Sequence, residues 1–310
     1  MKPVTDALTL RFAGYQPAAS IHTRSAAYLG ELLGAECGAG FAFEQTVSIL
    51  EQGRQANDLA PLVADGTYDM CYLATVRFAR EVPALALFDA PFVIGDRDRV
   101  WRELDGAFGD AIRAEFAART PWRVLGFWDN GFRQISNRVR PLRMPADCAG
   151  LSIRTQPTDD IVETFRRIGF EPRPIDISEA VRELTAGRID AQENPLTSIN
   201  AFGIQKLHKH ITLTGHIFGV ALLLANAARY ESWPAAFRDR LHAAIGEATR
   251  RQRAMAVEQD RTLRGAFEAD GVAFVDLTDS ERAAFAAAAA PVTARLTAGV
   301  DPALLARLRG

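Results

Sequence analysis

The sequence predicts an α/β protein of two lobes. Three observations carry this: a chain of 310 residues, a balance of 48% hydrophobic to 24% charged residues, and a β-α-β-α-β rhythm beginning at Leu8. At roughly one domain per 150 residues the length gives two lobes, and a chain of this size buries a sizeable core. The composition excludes a disordered or fibrous protein. The rhythm implies parallel strands joined by right-handed crossovers.

The elements follow in order. Leu8-Thr9-Leu10-Arg11-Phe12-Ala13 alternates as a half-buried strand does, and Gly14 with Pro17 ends it. From Ser20 to Leu33, Ile21, Tyr28, Leu29, Leu32 and Leu33 fall near helical spacing, and Gly34 closes the helix. A strand over Gly40 to Val47 precedes a helical stretch to Ala64, a turn at Asp65-Gly66 and a buried strand over Tyr68 to Leu73. Beyond the Phe88 to Phe92 turn, a helix around Arg99 to Ala118 leads into a strand over Arg123 to Trp128. Leu151 to Arg154 reads as a strand, Thr158 to Ile168 and Glu179 to Ala186 as helices, and Ile189 to Gln192 as a further strand. The C-terminal part is mostly helical. Arg240 to Phe267 carries apolar residues at helical spacing, and Thr278-Asp279-Ser280-Glu281 forms a capping box before an Ala-rich helix.

Several function classes drop out. A net charge of -2 and a pI near 6.2 provide no basic field for nucleic acid. The longest uncharged run, Ile211 to Ala228, is interrupted by Thr212, Thr214, Gly215, His216 and Asn226, so it suits one or two buried strands rather than a membrane span. Cys37, Cys71 and Cys148 are an odd, scattered set that reads as small buried hydrophobes. Gly34, Gly38 and Gly40 do not form a dinucleotide loop, and neither a phosphate-loop lysine nor a nucleophile elbow occurs. His208, His210 and His216 lack a carboxylate or cysteine at ligand spacing, and Cys148 stands beside Asp147 without a basic neighbour. No metal, no cofactor and no catalytic constellation are expected, which turns attention to binding. The start, Met1 to Asp6, lacks the apolar core of a signal peptide. That leaves a cytoplasmic protein or one whose leader has been removed.

The stretch from Gly126 to His216 is the informative one. It holds Asn130-Gly131-Phe132-Arg133-Gln134-Ile135-Ser136-Asn137, then Arg140-Pro141, Pro145-Ala146-Asp147 and Gly150-Leu151-Ser152-Ile153-Arg154. Gly187-Arg188-Ile189-Asp190-Ala191-Gln192-Glu193-Asn194-Pro195 and Ile211-Thr212-Leu213-Thr214-Gly215-His216 follow. Upstream stand Ala64-Asp65-Gly66-Thr67-Tyr68-Asp69 and Ala90-Pro91-Phe92-Val93-Ile94. In order and spacing these runs closely resemble the substrate-binding proteins of tripartite ATP-independent periplasmic (TRAP) transporters, the DctP-like family. The resemblance extends from about Leu8 to Val275.

That resemblance implies a periplasmic-binding-protein-like fold, with a ligand cleft between the lobes and a long C-terminal helix bridging them. Lobe I would take residues 1–130 and about 219–259, and lobe II residues 131–218 and about 260–310. The implied function is periplasmic capture of an organic acid anion and its delivery to a TRAP permease, without catalysis and without a membrane span of its own. The native leader would then be missing from this sequence. Arg154, ending its strand, would grip the ligand carboxylate, because a guanidinium fork makes two parallel charge-assisted bonds and stays protonated. Arg133, where the chain is expected to cross between lobes, would be a second donor. Asn194, in an expected loop, offers an amide that both donates and accepts. Glu193 should avoid an anion.

From the opposite lobe the resemblance brings Tyr15, Gln16, Gln55 and Thr75. Trp128 and Tyr15 either stack on a sugar face or pack in the core. Ala74 stands where sialic-acid-binding members carry a carboxylate, and Ile177 where they carry a phenylalanine. These departures argue against sialic acid and leave C4-dicarboxylates, sugar acids and other hydroxy or keto acids. Neutral hydrogen-bonders favour a compact monoacid with hydroxyls, such as a hexuronate, with Arg77 as the only obvious second cation. The rivals are a receptor of an ATP-driven transporter, a ligand-sensing module, or an enzyme acting on a carboxylic acid with His22 or His216 as base.

Overall fold

The apolar runs of the sequence become strands in the computed structural model, which describes residues 8–309. The strands are β1 (Leu8–Ala13), β2 (Phe41–Thr46), β3 (Met70–Ala74), β4 (Trp122–Asn137), β5 (Ser152–Thr155), β6 (Glu171–Pro174), β7 (Ala191–Pro195), β8 (His210–Leu213), β9 (Phe218–Asn226) and β10 (Ala273–Asp276). The segment Met1 to Asp6, where a leader was sought, lies outside the described residues. Packing divides the chain into two units. The first takes the residues up to Ala74, Arg113–Asp129 and Ala221–Val257, and the second takes Thr75–Ile112, Asn130–Val220 and the residues from Glu258. The segment Thr75–Ile112, expected in the first lobe, therefore packs with the second unit.

In the first unit the strand order is β2-β1-β3-β9-β4. β1 lies parallel to β2, Leu8 opposite Phe41 through Ala13 opposite Thr46, and parallel to β3. The parallel pairing expected from the rhythm is thus present. β9 then runs antiparallel to β3, from Met70 opposite Ala225 to Ala74 opposite Ala221. The helix Ile21–Cys37 is capped by Ser20, whose Oγ accepts the Thr23 N–H at 3.1 Å. It passes through Gly34, where its end was expected, and stops at Gly38, whose φ of 67° leaves the helical region. Leu10, Phe12, Leu29, Leu33, Tyr72, Trp128, Leu223 and Leu241 form the core, each large side chain contributing ~1.5–3 kcal/mol on burial.

In the second unit the order is β10-β8-β4-β7-β5-β6. β4 is antiparallel to β7 and to β8, while β5 lies parallel to both β7 and β6. Leu184, Ile189, Ile199, Ile211 and Phe267 pack its core. Two expectations change here. The strand expected to end at Trp128 continues as β4 through Gly131, at φ 83°, to Asn137, so Arg133 lies on a strand just past the point, between Asp129 and Asn130, where the chain passes from one unit to the other. Asn194 does not lie in a loop, because β7 includes Gln192, Glu193 and Asn194. Their polarity suggested a loop, but pairing with β4 satisfies the backbone and the side chains find buried partners.

Smaller differences have simple causes. The helix expected around Arg99 to Ala118 is two, Arg97–Leu104 and Ala107–Arg119, divided at Asp105-Gly106. The stretch before Ala64 is helical only in short pieces, ending in Leu59–Ala64. The long helix Ala235–Ala269 has residues in both units, passing from one to the other at Val257. The Thr278/Glu281 capping box is present and opens the helix Asp279–Thr297. Among the described residues no helix is long and apolar enough to cross a membrane. The three cysteines are unpaired, and burial pushes the Cys148 thiol up to about 12, far from reactivity.

Gly14 ends β1 and ties it to its neighbour: its N–H donates to Thr46 O at 2.9 Å and its carbonyl accepts from Ile49 N–H at 3.0 Å. A Cβ there would come within 2.8 Å of both the Tyr72 ring and Val47 O. Gly14→Ala is expected to cost about 1–3 kcal/mol through overpacking. A thermal melt checks it: an unchanged midpoint would show that the loop gives way freely.

Candidate functional site

Three neighbouring strands of the second unit gather the charged side chains. Arg154 on β5 stands opposite Gln192 of β7, and β7 sets Asn194 opposite Gln134 and Pro195 opposite Arg133 of β4. Arg133 closes its fork on Glu193: Nε meets Oε2, and Nη2 donates to Oε1 at 2.8 Å. The same Nη2 also donates to Glu193 O at 2.7 Å and to Asn194 Oδ1 at 3.1 Å. Both ionic side chains are buried. Burial opposes the Glu193 charge, but Arg133 and His216 outweigh it and hold the carboxyl down at about 2.

The network extends from there. Asn194 Nδ2 donates to Gln192 Oε1, and Gln192 Nε2 donates to Ser136 Oγ at 2.6 Å. Ser136 Oγ is 2.9 Å from His208 Nδ1. His216 lies between Glu193 Oε2, 3.3 Å from its Nε2, and Thr214 Oγ1, 2.7 Å from its Nδ1. Arg133 and Asn194, expected as ligand donors, are therefore engaged first with the protein itself. His216, considered as a catalytic base, is a buried member of this network whose pKa burial pushes down.

Arg154 differs from Arg133. It is 2% exposed, and its hydrogen bond to the protein runs from Nε to Ile175 O at 3.0 Å. Among the described residues no carboxylate pairs with it. Burial pushes its pKa down to about 10, with Glu193 favouring the charge and Arg133 and Arg77 opposing it. The guanidinium stays protonated at neutral pH. Nearby, Arg77 Nη2 meets Asp176 Oδ2 at 3.5 Å. Asp176 also caps the helix Ile177–Thr185 by accepting the Ser178 N–H at 3.0 Å. Ile177, the first residue of that helix, is buried, as is Thr75, whose carbonyl accepts the Phe78 N–H. Asp89 is a further buried carboxyl, its pKa pushed well up by burial and then by Asp160 and Glu193.

The first unit holds Tyr15, Gln16, Gln55 and Trp128. The Gln16 and Tyr15 N–H groups donate to Tyr72 Oη at 3.0 and 3.4 Å. Gln16 Nε2 reaches Tyr15 Oη at 3.5 Å. Trp128 is fully buried against Tyr72 and His22, and its Nε1 donates to Thr249 Oγ1 at 3.1 Å. Of the two roles left open for it, burial gives it the one in the core. Gln55 is exposed, and its N–H is taken by Asp58 Oδ2 in the turn it opens. Sequence reasoning left out Asp176 and treated Glu193 as a bystander. The signal for Glu193 was an isolated acid in the same run of motifs as an arginine.

A family model described as bacterial extracellular solute-binding protein, family 7 (DctP) matches residues 48–299. A solute-binding protein of Verminephrobacter eiseniae is 31% identical over 244 residues, covering 79% of this chain and 72% of its own. The 2,3-diketo-L-gulonate-binding periplasmic protein YiaO of Escherichia coli is 30% identical, covering 72% of this chain and 67% of its own. A TRAP periplasmic solute-binding protein of Bordetella bronchiseptica, solved with density assigned to pantoate, is 30% identical. It superposes with a TM-score of 0.88 over 97% of this chain and 98% of its own.

His22 is buried in the first unit, stacked on Tyr72 at 5.1 Å with both ring nitrogens unpartnered, and burial pushes its pKa down to about 3. Folding thus selects the neutral ring. The resulting stability is complete above the ordinary value of 6.5 and is lost as pH falls through the window toward 3. His22→Phe keeps the ring packing and removes the titration. Its melting midpoint is expected to fall less than that of the parent between pH of about 6.5 and 5, before carboxylates take over. Parallel pH profiles would show that His22 does not titrate on unfolding.

Proposed function

Because the chain belongs to family 7 of the bacterial extracellular solute-binding proteins, the DctP family, we propose that its second unit holds the carboxylate of an organic acid on Arg154. The proteins it matches are binding proteins rather than enzymes. One observation carries the assignment to Arg154: it is a buried cation to which no carboxylate among the described residues is paired. A buried charge is costly unless paired, and a ligand anion supplies the missing partner. Arg133 stands one network away, its charge already matched by Glu193, and serves to position Asn194 beside the site.

The favoured ligand is a hydroxylated monoacid, such as a hexuronate or a keto sugar acid. Support comes from two of the proteins at 30% identity. One is named for 2,3-diketo-L-gulonate and one was solved with density assigned to pantoate, both monocarboxylic acids with hydroxyl groups. A site that hydrogen-bonds hydroxyls rejects analogues that lack them, because its polar groups are left unpaired. Delivery to the membrane subunits of a TRAP transporter completes the proposed role.

Arg154→Ala is expected to abolish acid binding in a protein that still folds, a loss of roughly 2–5 kcal/mol for a desolvated charged partner. Arg154→Lys should also bind weakly, since an ammonium cannot reproduce the planar fork. Isothermal calorimetry with D-galacturonate, D-glucuronate and pantoate checks both. Unchanged dissociation constants in Arg154→Ala would remove Arg154 from the site.

A further inference from the structure

The second unit places two buried arginines, Arg133 and Arg154, and the partly buried Arg77 near one another, and gives protein carboxylates to Arg133 and Arg77. Arg133 is clasped by Glu193, and Arg77 meets Asp176 at 3.5 Å, with side-chain exposures of 11% and 3%. Arg154 has none. Asp176, Ile175 and Ile177 are consecutive residues, so the carbonyl that holds Arg154 and the carboxylate that neutralises Arg77 sit on one short segment. The balance is one unmatched positive charge, which one ligand carboxylate satisfies.

We propose that Asp176 is a specificity-determining residue: by neutralising Arg77 it removes the second cation that a dicarboxylate needs, and so tunes the site to monoacids. The inference rests on the assignment of Arg154 as the carboxylate anchor. Asp176 acts through Arg77 and is a positioning residue. Its grip is single-pronged and long, and Arg77 Nε has no hydrogen-bond partner. The Arg77 charge is therefore cancelled while its donors are not saturated, which suits a neutral hydroxyl oxygen better than a second anion. The closeness of the arginines is also seen in Arg154, whose charge Arg133 and Arg77 disfavour and Glu193 and Asp176 favour. Asp89 is buried in the same unit, and burial pushes its pKa well up.

The test is a set of calorimetric titrations with succinate, D-galacturonate and pantoate. The parent protein should bind a monoacid more tightly than succinate. Asp176→Asn keeps a good helix cap and should raise affinity for succinate relative to the monoacid by about tenfold or more, because it frees one charge. Arg77→Met in the Asp176→Asn background should return the ratio to the parent value, a reversal that a merely structural role for Asp176 would not give. Asp176→Ser, which also caps, replaces Asp176→Asn if that variant fails to fold. An unchanged ratio in the capped variant, or a parent protein that prefers succinate, overturns the inference. If Arg154→Ala still abolishes binding in that case, the carboxylate assignment survives. If Arg154→Ala binds as the parent does, or no acid of the panel binds the parent, the assignment fails and takes the inference with it.

Discussion

The buried Arg133–Glu193 ion pair organises the second unit, because an uncompensated charge at either position would be severely destabilising. Arg133 and Glu193 belong to β4 and β7, two strands whose register sets Arg133 opposite Pro195 and Ile135 opposite Glu193. A slip of one residue would turn each side chain to the other face of the sheet and break the pair. The pair thereby fixes strand register as well as charge. His216, Asn194, Gln192 and Ser136 extend it into a chain of satisfied polar groups, and such buried networks are rigid only when every member is paired.

Against that satisfied background, the unpaired charge of Arg154 stands out. Of Arg77, Arg133 and Arg154, the first two are matched with acids, and no carboxylate among the described residues pairs with the third. In a protein with 36 basic residues and 38 acidic ones, most arginines find partners on the surface, where exposed pairs contribute little. Arg154 has been drawn into the interior and is held by one backbone carbonyl. In the proposed role, a fork held in place before the anion arrives needs less ordering on binding.

The first unit solves a different problem, by packing. Tyr72 lies between Phe12, Tyr15, His22 and Trp128, while its hydroxyl accepts from the backbone of Tyr15 and Gln16. One aromatic side chain therefore joins the core to the loop after β1. His22 in that stack is kept neutral by burial rather than by a partner, which ties the stability of the stack to pH.

The sequence by itself determined the α/β class, the parallel start of the first sheet, the capping box at Thr278 and the family. Each is a local signal: alternation, cap chemistry, or a motif whose residues are contiguous. The tertiary structure decided the rest. Glu193-Asn194 reads as a loop in sequence because two polar residues before a proline have no local reason to be buried, and β4 supplies the arginine and the strand partner that make them part of β7. The placement of Thr75–Ile112 with the second unit, the burial of Trp128 among distant rings and the pairing of Arg77 with an acid 99 residues away likewise depend on contacts remote in sequence. Charge type can be read from a residue's name, but whether that charge is spent or available depends on what the fold brings within reach of it.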